Sequence, residues 1–275
     1  VAELTPGRES PWSDGPGFLD VAGTQLEVRR FGPPPADSPP IVFLHEGLGS
    51  AGLWRDYPAR LCEALGRSGL AYSRVGYGAS EPVRRPRTVS FMHTEAHEVL
   101  PVLLDAAGLS RVDLYGHSDG ASIALLFASR HPRRARSLVL EAPHVFVEDV
   151  TTTSIARIND AYGTTDLRGK MARWHDDPDG AFLGWTEVWL DPEFRSWDIQ
   201  DVLPDVSAPV LVLQGEDDEY GSWAQVDAVV EGVAGPVRTR RLPECRHAPH
   251  RDQPDVALAE AVRFLMETAE PPGSG

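Results

Sequence analysis

The 275-residue chain is short of cysteine, of lysine and of long apolar runs. Cys62 and Cys245 are its only cysteines. Two in a chain of this length do not make a disulfide framework, and a metal site would need more ligands at closer spacing. Lys170 is the only lysine, so arginine carries nearly all of the 26 positive charges, set against 41 Asp and Glu for a net charge of −15. That excess repels a phosphate backbone and an anionic bilayer surface, so the expected partners include neither nucleic acid nor membrane. No apolar stretch approaches the ~18–20 residues of a membrane-crossing helix. The first ten residues lack a basic region followed by an apolar core, so the expectation is a cytoplasmic protein without a secretory leader. No internal repeat is visible, and nothing in the composition sets an oligomeric state.

What is present is an ordinary globular balance, 41% hydrophobic and 24% charged. It suits one large α/β domain, or such a domain with one insertion. The chain is organised around residues 111–132. A short apolar run, Val112 to Tyr115, meets Gly116-His117-Ser118-Asp119-Gly120, and a long apolar segment, Ala121 to Ala128, follows. That order reads as strand, sharp turn, helix, with Ser118 in a G-x-S-x-G nucleophile elbow. Ser118 must occupy a strained turn to project its hydroxyl above a sheet. Side chains at 116 and 120 would collide with neighbouring backbone, so both positions require glycine. The small Ala121 and Ala124 let the helix cross close to the strands, and its free N–H groups face the reacting centre.

Phe18 to Val21 and Thr24 to Phe31 alternate like the arms of a hairpin, after an irregular lead-in over 1–17. A proline-rich surface connection, 32–40, leads to Ile41-Val42-Phe43-Leu44, a strand of the buried type. It runs into His45-Glu46-Gly47-Leu48-Gly49. A glycine-rich turn after a central strand can supply a fixed N–H donor for an oxyanion, and the donors assigned are the N–H groups of Gly47 and Asp119. A helical face follows with Leu53, Tyr57, Leu61, Ala64 and Leu65, then a strand over Ala71 to Val75 and a tight loop, Gly76-Tyr77-Gly78. The basic run 84–87 reads as solvated surface. The next helix runs from Thr88 to Ala107. It carries His93 and His97, but Glu95 between them breaks the H-E-x-x-H order, so they read as ordinary helix histidines. Ala135 to Glu141 is the next buried strand.

From 144 to 205 the alternation of strand and helix breaks down. Aromatic residues appear among short helical patterns punctuated by Asp177-Pro178 and Asp191-Pro192, which fits a helical insertion. Most of its aromatics should form its own core, with one or two lining a pocket. Pro209 to Leu213 is again a buried strand. It ends in Gly215-Glu216-Asp217-Asp218, where a carboxylate would sit at the C-terminal edge of the sheet. Val237 to Leu242 is the last strand, followed by the loop His247-Ala248-Pro249-His250. A helix from Pro254 to Thr268, with Val256, Leu258, Ala261, Phe264 and Leu265 inward, closes the chain ahead of a linker-like tail, 271–275. Strands and helices in this alternation imply a mostly parallel sheet with helices on both faces.

Five separated features, in order, resemble the α/β-hydrolase fold family: His45-Glu46-Gly47-Leu48-Gly49, Gly76-Tyr77-Gly78, Gly116-His117-Ser118-Asp119-Gly120, Gly215-Glu216-Asp217-Asp218 and His247-Ala248-Pro249-His250. The match runs from Phe18 to Thr268. It implies an α/β fold with a mostly parallel central sheet, a core of 18–143 and 206–270, and a helical cap insertion over 144–205. The family order of nucleophile, acid and base implies Ser118, Asp218 and His247, with Asp217 as the alternative acid and His250 as a neighbour or pocket residue. Glu46, His144, Trp185 and Trp189 are candidate substrate contacts. Two departures stand out. Glu46 replaces the glycine usual after the histidine of that motif. It reads either as a buried partner of an arginine or loop N–H, or as a second acid/base or substrate contact. Ser73 stands where the family often has aspartate.

The resemblance implies a serine hydrolase acting on a small-molecule ester or thioester, with no metal or organic cofactor. The same fold also serves C–C bond hydrolases, acyltransferases, perhydrolases and non-enzymatic ligand receptors. Dehalogenases and epoxide hydrolases of this fold use an aspartate nucleophile, which Ser118 argues against.

Overall fold

A computed structural model describes residues 15–35, 38–83 and 86–268. Most of the lead-in (1–14), the middle of the proline-rich connection (36–37), half of the basic run (84–85) and the tail (269–275) lie outside the described residues. Eight strands form one sheet in the order β1-β2-β4-β3-β5-β6-β7-β8. They are β1 (Gly15–Val21), β2 (Thr24–Phe31), β3 (Ile41–Leu44), β4 (Gly69–Tyr72), β5 (Val112–His117), β6 (Ala135–Glu141), β7 (Val210–Gly215) and β8 (Val237–Leu242). β1–β2 and β2–β4 pair antiparallel, and the remaining pairs are parallel.

The central strands are apolar throughout because both faces of the sheet are covered. Val42 and Leu44 of β3, Leu114 of β5, Leu138 and Leu140 of β6, and Val210 and Val212 of β7 point to one core. Ile41, Phe43, Tyr115, Val139, Leu211 and Leu213, the intervening residues, point to the other. The first core is covered by α3 (Leu100–Ala106), α4 (Asp119–Arg130) and α8 (Trp223–Gly232), the second by α1 (Tyr57–Leu65) and α10 (Pro254–Glu267).

The helices depart from expectation in detail. α1 starts at Tyr57, so Leu53 lies in the turns before it, and Ala64 is exposed rather than inward. In α10 the inward residue near the start is Ala257, not Val256, which is 36% exposed. The helix expected over 88–107 begins with α2 (Phe91–Thr94), continues through a π-helical turn (Glu95–Val99) and ends in α3. Pro101 lacks an N–H, and the wider turn before it lets the chain continue as a helix.

β3 is flanked by β4 on one side and β5 on the other. The chain reverses its direction of travel across the sheet at that point, which opens a crevice beyond the C-terminal ends of the two strands. The turns after β3 and β5 carry His45–Gly49 and Ser118. Between β6 and β7 lie α5 (Asp149–Tyr162), α6 (Leu167–Met171), α7 (Pro178–Trp189) and 3₁₀ turns at Pro192–Ser196 and Gln200–Asp205. Trp185, Trp189, Phe194 and Trp197 from this segment join the first core, while Phe182 stacks on Tyr162 with centroids 3.7 Å apart. α9 (Pro249–Asp252) follows β8. Among the described residues no helix is long and apolar enough to cross a membrane.

Candidate active site

Ser118 joins β5 to α4 with φ 54° and ψ −119°, a conformation that L side chains rarely adopt. The glycines around it are required by clearance. A Cβ at 116 would fall 2.4 Å from the Gly120 carbonyl oxygen, and one at 120 would fall 2.0 Å from that of Leu44. The strained turn therefore persists because strand and helix backbones meet with no room between them.

The structure brings the three predicted residues into one chain of hydrogen bonds. Ser118 Oγ lies 3.0 Å from His247 Nε2, and His247 Nδ1 lies 2.9 Å from both carboxylate oxygens of Asp218. Nδ1 must donate to the carboxylate, which leaves Nε2 as the acceptor for the serine hydroxyl. Asp218 is itself held. Its Oδ1 accepts from the N–H groups of Tyr220 (2.8 Å) and Gly221 (3.2 Å), and its Oδ2 accepts from Gln214 Nε2 at 2.7 Å. Burial works against its ionisation, yet His247 and the Tyr220 N–H outweigh burial and hold the carboxyl well below its usual range. Asp217, the alternative acid, is exposed and outside this chain; its N–H ties to the Cys245 carbonyl at 2.9 Å. Gly215 ends β7 where a Cβ would fall 2.2 Å from the carbonyl oxygens of both Cys245 and Arg246. That contact lets the loops carrying Asp218 and His247 meet.

The turn after β3 is braced by Arg74, a buried residue that sequence reasoning passed over. Its guanidinium donates to the carbonyls of His45 (2.6 Å) and Glu46 (2.9 Å). His45 donates from Nδ1 to the Glu46 carbonyl at 2.7 Å and accepts the Arg74 N–H at Nε2, 3.1 Å away, which fixes its tautomer. Burial and Arg74 keep this ring neutral. The expected donors, Gly47 and Asp119, both face the cavity above Ser118. Asp119 opens α4, where its N–H has no partner within the helix. A Cβ at 47 would fall 2.0 Å from Trp185 Nε1, so glycine there lets the indole close over the turn.

The Asp119 side chain is buried. Oδ1 accepts from Trp189 Nε1 at 3.2 Å, and Oδ2 has no hydrogen bond. Burial raises its pKa, with Arg74 and Trp189 offsetting part of the effect. Glu46 differs from the first of its two expected readings. Arginine binds its carbonyl, while the carboxylate faces His117, with Oε2 3.6 Å from Nδ1. Burial disfavours its charge, but His117, His45 and His250 prevail and hold it below the ordinary range.

The cavity measures about 440 Å³, within the span of small-molecule sites. All four candidate contacts, Glu46, His144, Trp185 and Trp189, line it. Trp174 does so as well, so three insertion tryptophans face the cavity where one or two aromatics were expected. His144 is kept neutral, its pKa lowered to about 3 by burial and by His247. His250 does not line the cavity; it bonds Glu141 at 2.5 Å, and Tyr115 donates to the same carboxylate at 2.6 Å. His117, Glu141 and His250 are buried with ligand-type atoms within 4.8 Å of one another. A zinc ion would hold such atoms about 3.3 Å apart. The Glu141–His250 contact is shorter, and His117 Nε2 is engaged by the His247 carbonyl at 2.8 Å, so these groups are closed on each other. Of the helix histidines, His97 bonds the Leu126 carbonyl at 3.2 Å.

A mostly parallel sheet with a strained serine turn, and with a histidine and an aspartate delivered to it by the loops after its last two strands, defines a class of proteins. The chain belongs to the alpha/beta hydrolase family, whose match covers residues 41–261. It is similar to the human serine hydrolase BPHL, with 26% identity across 72% of this chain and 69% of that protein. It is likewise similar to human monoglyceride lipase, with 26% identity across 90% and 87%. The 2-hydroxy-6-oxo-6-phenylhexa-2,4-dienoate hydrolase of Comamonas testosteroni is 22% identical across 97% and 100%. Among solved structures, the hydrolase acting on that dienoate from Rhodococcus sp. strain RHA1 superposes with a TM-score of 0.77 at 16% identity, covering 91% of this chain and 98% of that one. VinJ superposes at 0.73 with 23% identity, covering 93% and 99%. These likenesses show the fold.

Proposed function

We propose that this protein is a serine hydrolase that cleaves a small carboxylic ester or thioester through an acyl-enzyme on Ser118. The carrying observation is the unbroken hydrogen-bonded chain from Ser118 Oγ through His247 to Asp218. Ser118 Oγ attacks the acyl carbon as His247 Nε2 takes its proton, and Asp218 stabilises the imidazolium. The carbonyl oxygen becomes an oxyanion held by the N–H groups of Gly47 and Asp119, each worth about 3–4 kcal/mol in comparable sites. The tetrahedral species expels the alkoxide or thiolate, which takes the proton from His247. Water then attacks the acyl-enzyme, giving its proton to His247, and the acid leaves. No step calls on a metal or an organic cofactor. Segment 144–205 acts as a cap whose tryptophans pack on the acyl group. A cytoplasmic setting and a small-molecule substrate, with no nucleic acid or membrane partner, belong to the same reading.

The test combines a fluorophosphonate probe with an activated aryl ester. Rapid labelling of the protein and turnover are expected, with both lost in Ser118→Ala. Undiminished hydrolysis in that variant ends the proposal. Tight ligand binding with no labelling of the wild type would indicate a receptor on a hydrolase scaffold. C–C bond cleavage is the second reading, favoured by the dienoate hydrolases among the relatives and by Glu46 in the cavity that holds the nucleophile. A panel of esters, thioesters and β-diketones separates the two, and an added alcohol acceptor reveals acyl transfer.

A further inference from the structure

Charge is distributed unevenly along the cavity above Ser118. The carboxylates on its inner wall face basic side chains of the protein. Glu46 faces His117 at 3.6 Å, and Asp119 has Arg74 at 3.9 Å. The outer wall is different. Arg55, Lys170, Arg173 and Arg251 line the same cavity and are exposed. They come from separate places in the chain: the turns after β3, the end of α6 and the turn beyond it, and α9. Among the described residues none of the four has an ion-pair or hydrogen-bond partner for its charged head.

That is unusual for this chain. Acids outnumber bases 41 to 26, and most cations elsewhere on the described surface find partners, as in Arg60–Asp255, Arg168–Asp179 and Arg195–Asp149; only the scattered Arg133 and Arg157 share the unpaired state, and neither lines the cavity. Among the described lining acids outside the inner wall, Glu219 is paired with Arg246 at 2.7 Å, and Asp252, which accepts only the Arg246 backbone N–H at 2.9 Å, has no ion-pair partner, so four unpaired cations face one unpaired acid. The single lysine of the chain is here. Arg55 sits at φ 55°, in the left-handed region, so the fold tolerates a backbone cost where this side chain meets the cavity. A ring of unneutralised positive charge around a cleft raises the local concentration of anions and steers them inward, against the repulsion of the rest of the surface.

We infer that the substrate carries an anionic group, a carboxylate or a phosphate, at a distance from its scissile acyl bond, and that Arg55, Lys170, Arg173 and Arg251 receive it at the cavity mouth. The inference deepens the acyl-enzyme reading and rests on it for the placement of the scissile bond. The uncharged part of the substrate then lies against Trp185, Trp189 and Met171, with the acyl carbon at Ser118.

The test uses matched pairs. Para-nitrophenyl valerate and the mono-para-nitrophenyl ester of glutaric acid differ in one carboxylate on the acyl side. Butyryl thioesters of pantetheine and phosphopantetheine differ in one phosphate on the leaving side. The anionic member of one pair should be preferred in kcat/KM by about tenfold or more at low salt. The pair that shows this tells which side bears the charge. The preference should shrink toward one as ionic strength rises to about 0.5 M, where the screening length falls to a few ångströms. It should also collapse in the quadruple variant Arg55→Gln/Lys170→Gln/Arg173→Gln/Arg251→Gln. Lys170→Gln and Arg173→Gln, made singly, carry the same test if the quadruple variant fails to fold. Calorimetric binding of the intact compounds to Ser118→Ala gives the Kd ratio without turnover. A ratio near one for both pairs, or a preference that survives loss of the four charges, overturns the inference. Anionic selectivity in binding, combined with a wild type that turns over nothing, overturns the acyl-enzyme reading and leaves the anion site standing.

Discussion

His117 donates from Nε2 to the carbonyl oxygen of His247, 2.8 Å away. Its Nδ1 is left facing Glu46, 3.6 Å away, in a buried setting. Burial opposes a second proton on this ring, but Glu46 outweighs it and raises the pKa above the ordinary histidine value. The first x of the G-x-S-x-G motif is therefore a histidine that props the loop holding His247, and Glu46 favours a second proton on its ring.

Glu46→Gln should shift the His117 titration to lower pH, followed through the imidazole C2–H resonance. With the prop weakened, kcat for an aryl ester should fall about tenfold, since small displacements of a base are costly. An unmoved His117 titration would contradict the pairing.

Asp218 and Asp217 make a paired test. Asp218→Asn removes the charge that fixes the His247 tautomer and should lower kcat by about 10⁴-fold. Asp217→Asn should stay within about twofold of wild type, because its exposed carboxylate lies outside the triad chain. Equal losses in both would mean that the acid is misassigned.

Gly215→Ala places a Cβ 2.2 Å from the carbonyls of Cys245 and Arg246. The His247 loop must shift, and turnover should fall by about 10²-fold while the protein still folds. Gly163→Ala is the control. No atom lies within 4 Å of the added Cβ, and the φ of −81° suits any residue. A crystal structure of Gly215→Ala showing residues 245–247 undisplaced would defeat the explanation.

Stability should depend on pH through His144. The native ring resists protonation down to about 3, whereas the unfolded ring takes a proton below its ordinary 6.5. The unfolded state binds more protons between these values, so stability is fully present above about 6.5 and declines as pH falls toward about 3. His45, also depressed, acts with the same sign. His117, raised, acts in the opposite sense, stabilising below 6.5 and losing that contribution as pH climbs through its native pKa. Asp218 and Glu46, held below their usual range, contribute above that range and fade under more acid conditions. Urea unfolding of wild type and His144→Gln between pH 5 and 7 measures the histidine part; the variant should show the shallower slope.

The positions of most central strands were legible because a parallel strand covered on both faces must be apolar at every residue; the strand expected over Ala71 to Val75 runs instead over Gly69–Tyr72. β6 spans Ala135–Glu141, matching the apolar run. Helix faces were less legible. Ala64 and Val256 fit the periodicity but face solvent, because an amphipathic pattern leaves its edge positions free to fall on either side. Of the residues expected at the site, all but Asp218 line one cavity, and Asp218 reaches it through His247, yet Arg74, Gln214 and Glu141, which brace them, carry no local signal.

The amino-acid sequence alone determined the turn at Ser118, since only glycine clears the crossing backbones at 116 and 120, and it determined the chain order of hydroxyl, carboxylate and imidazole. The tertiary structure decided what each charged group faces. Glu141 meets His250 across 109 positions, His117 meets His247 across 130, and four cations from three separate parts of the chain gather at one opening. Spacing along a chain encodes the period of its own element and carries no measure of how two remote loops approach. Electrostatic partners are therefore set where those loops meet.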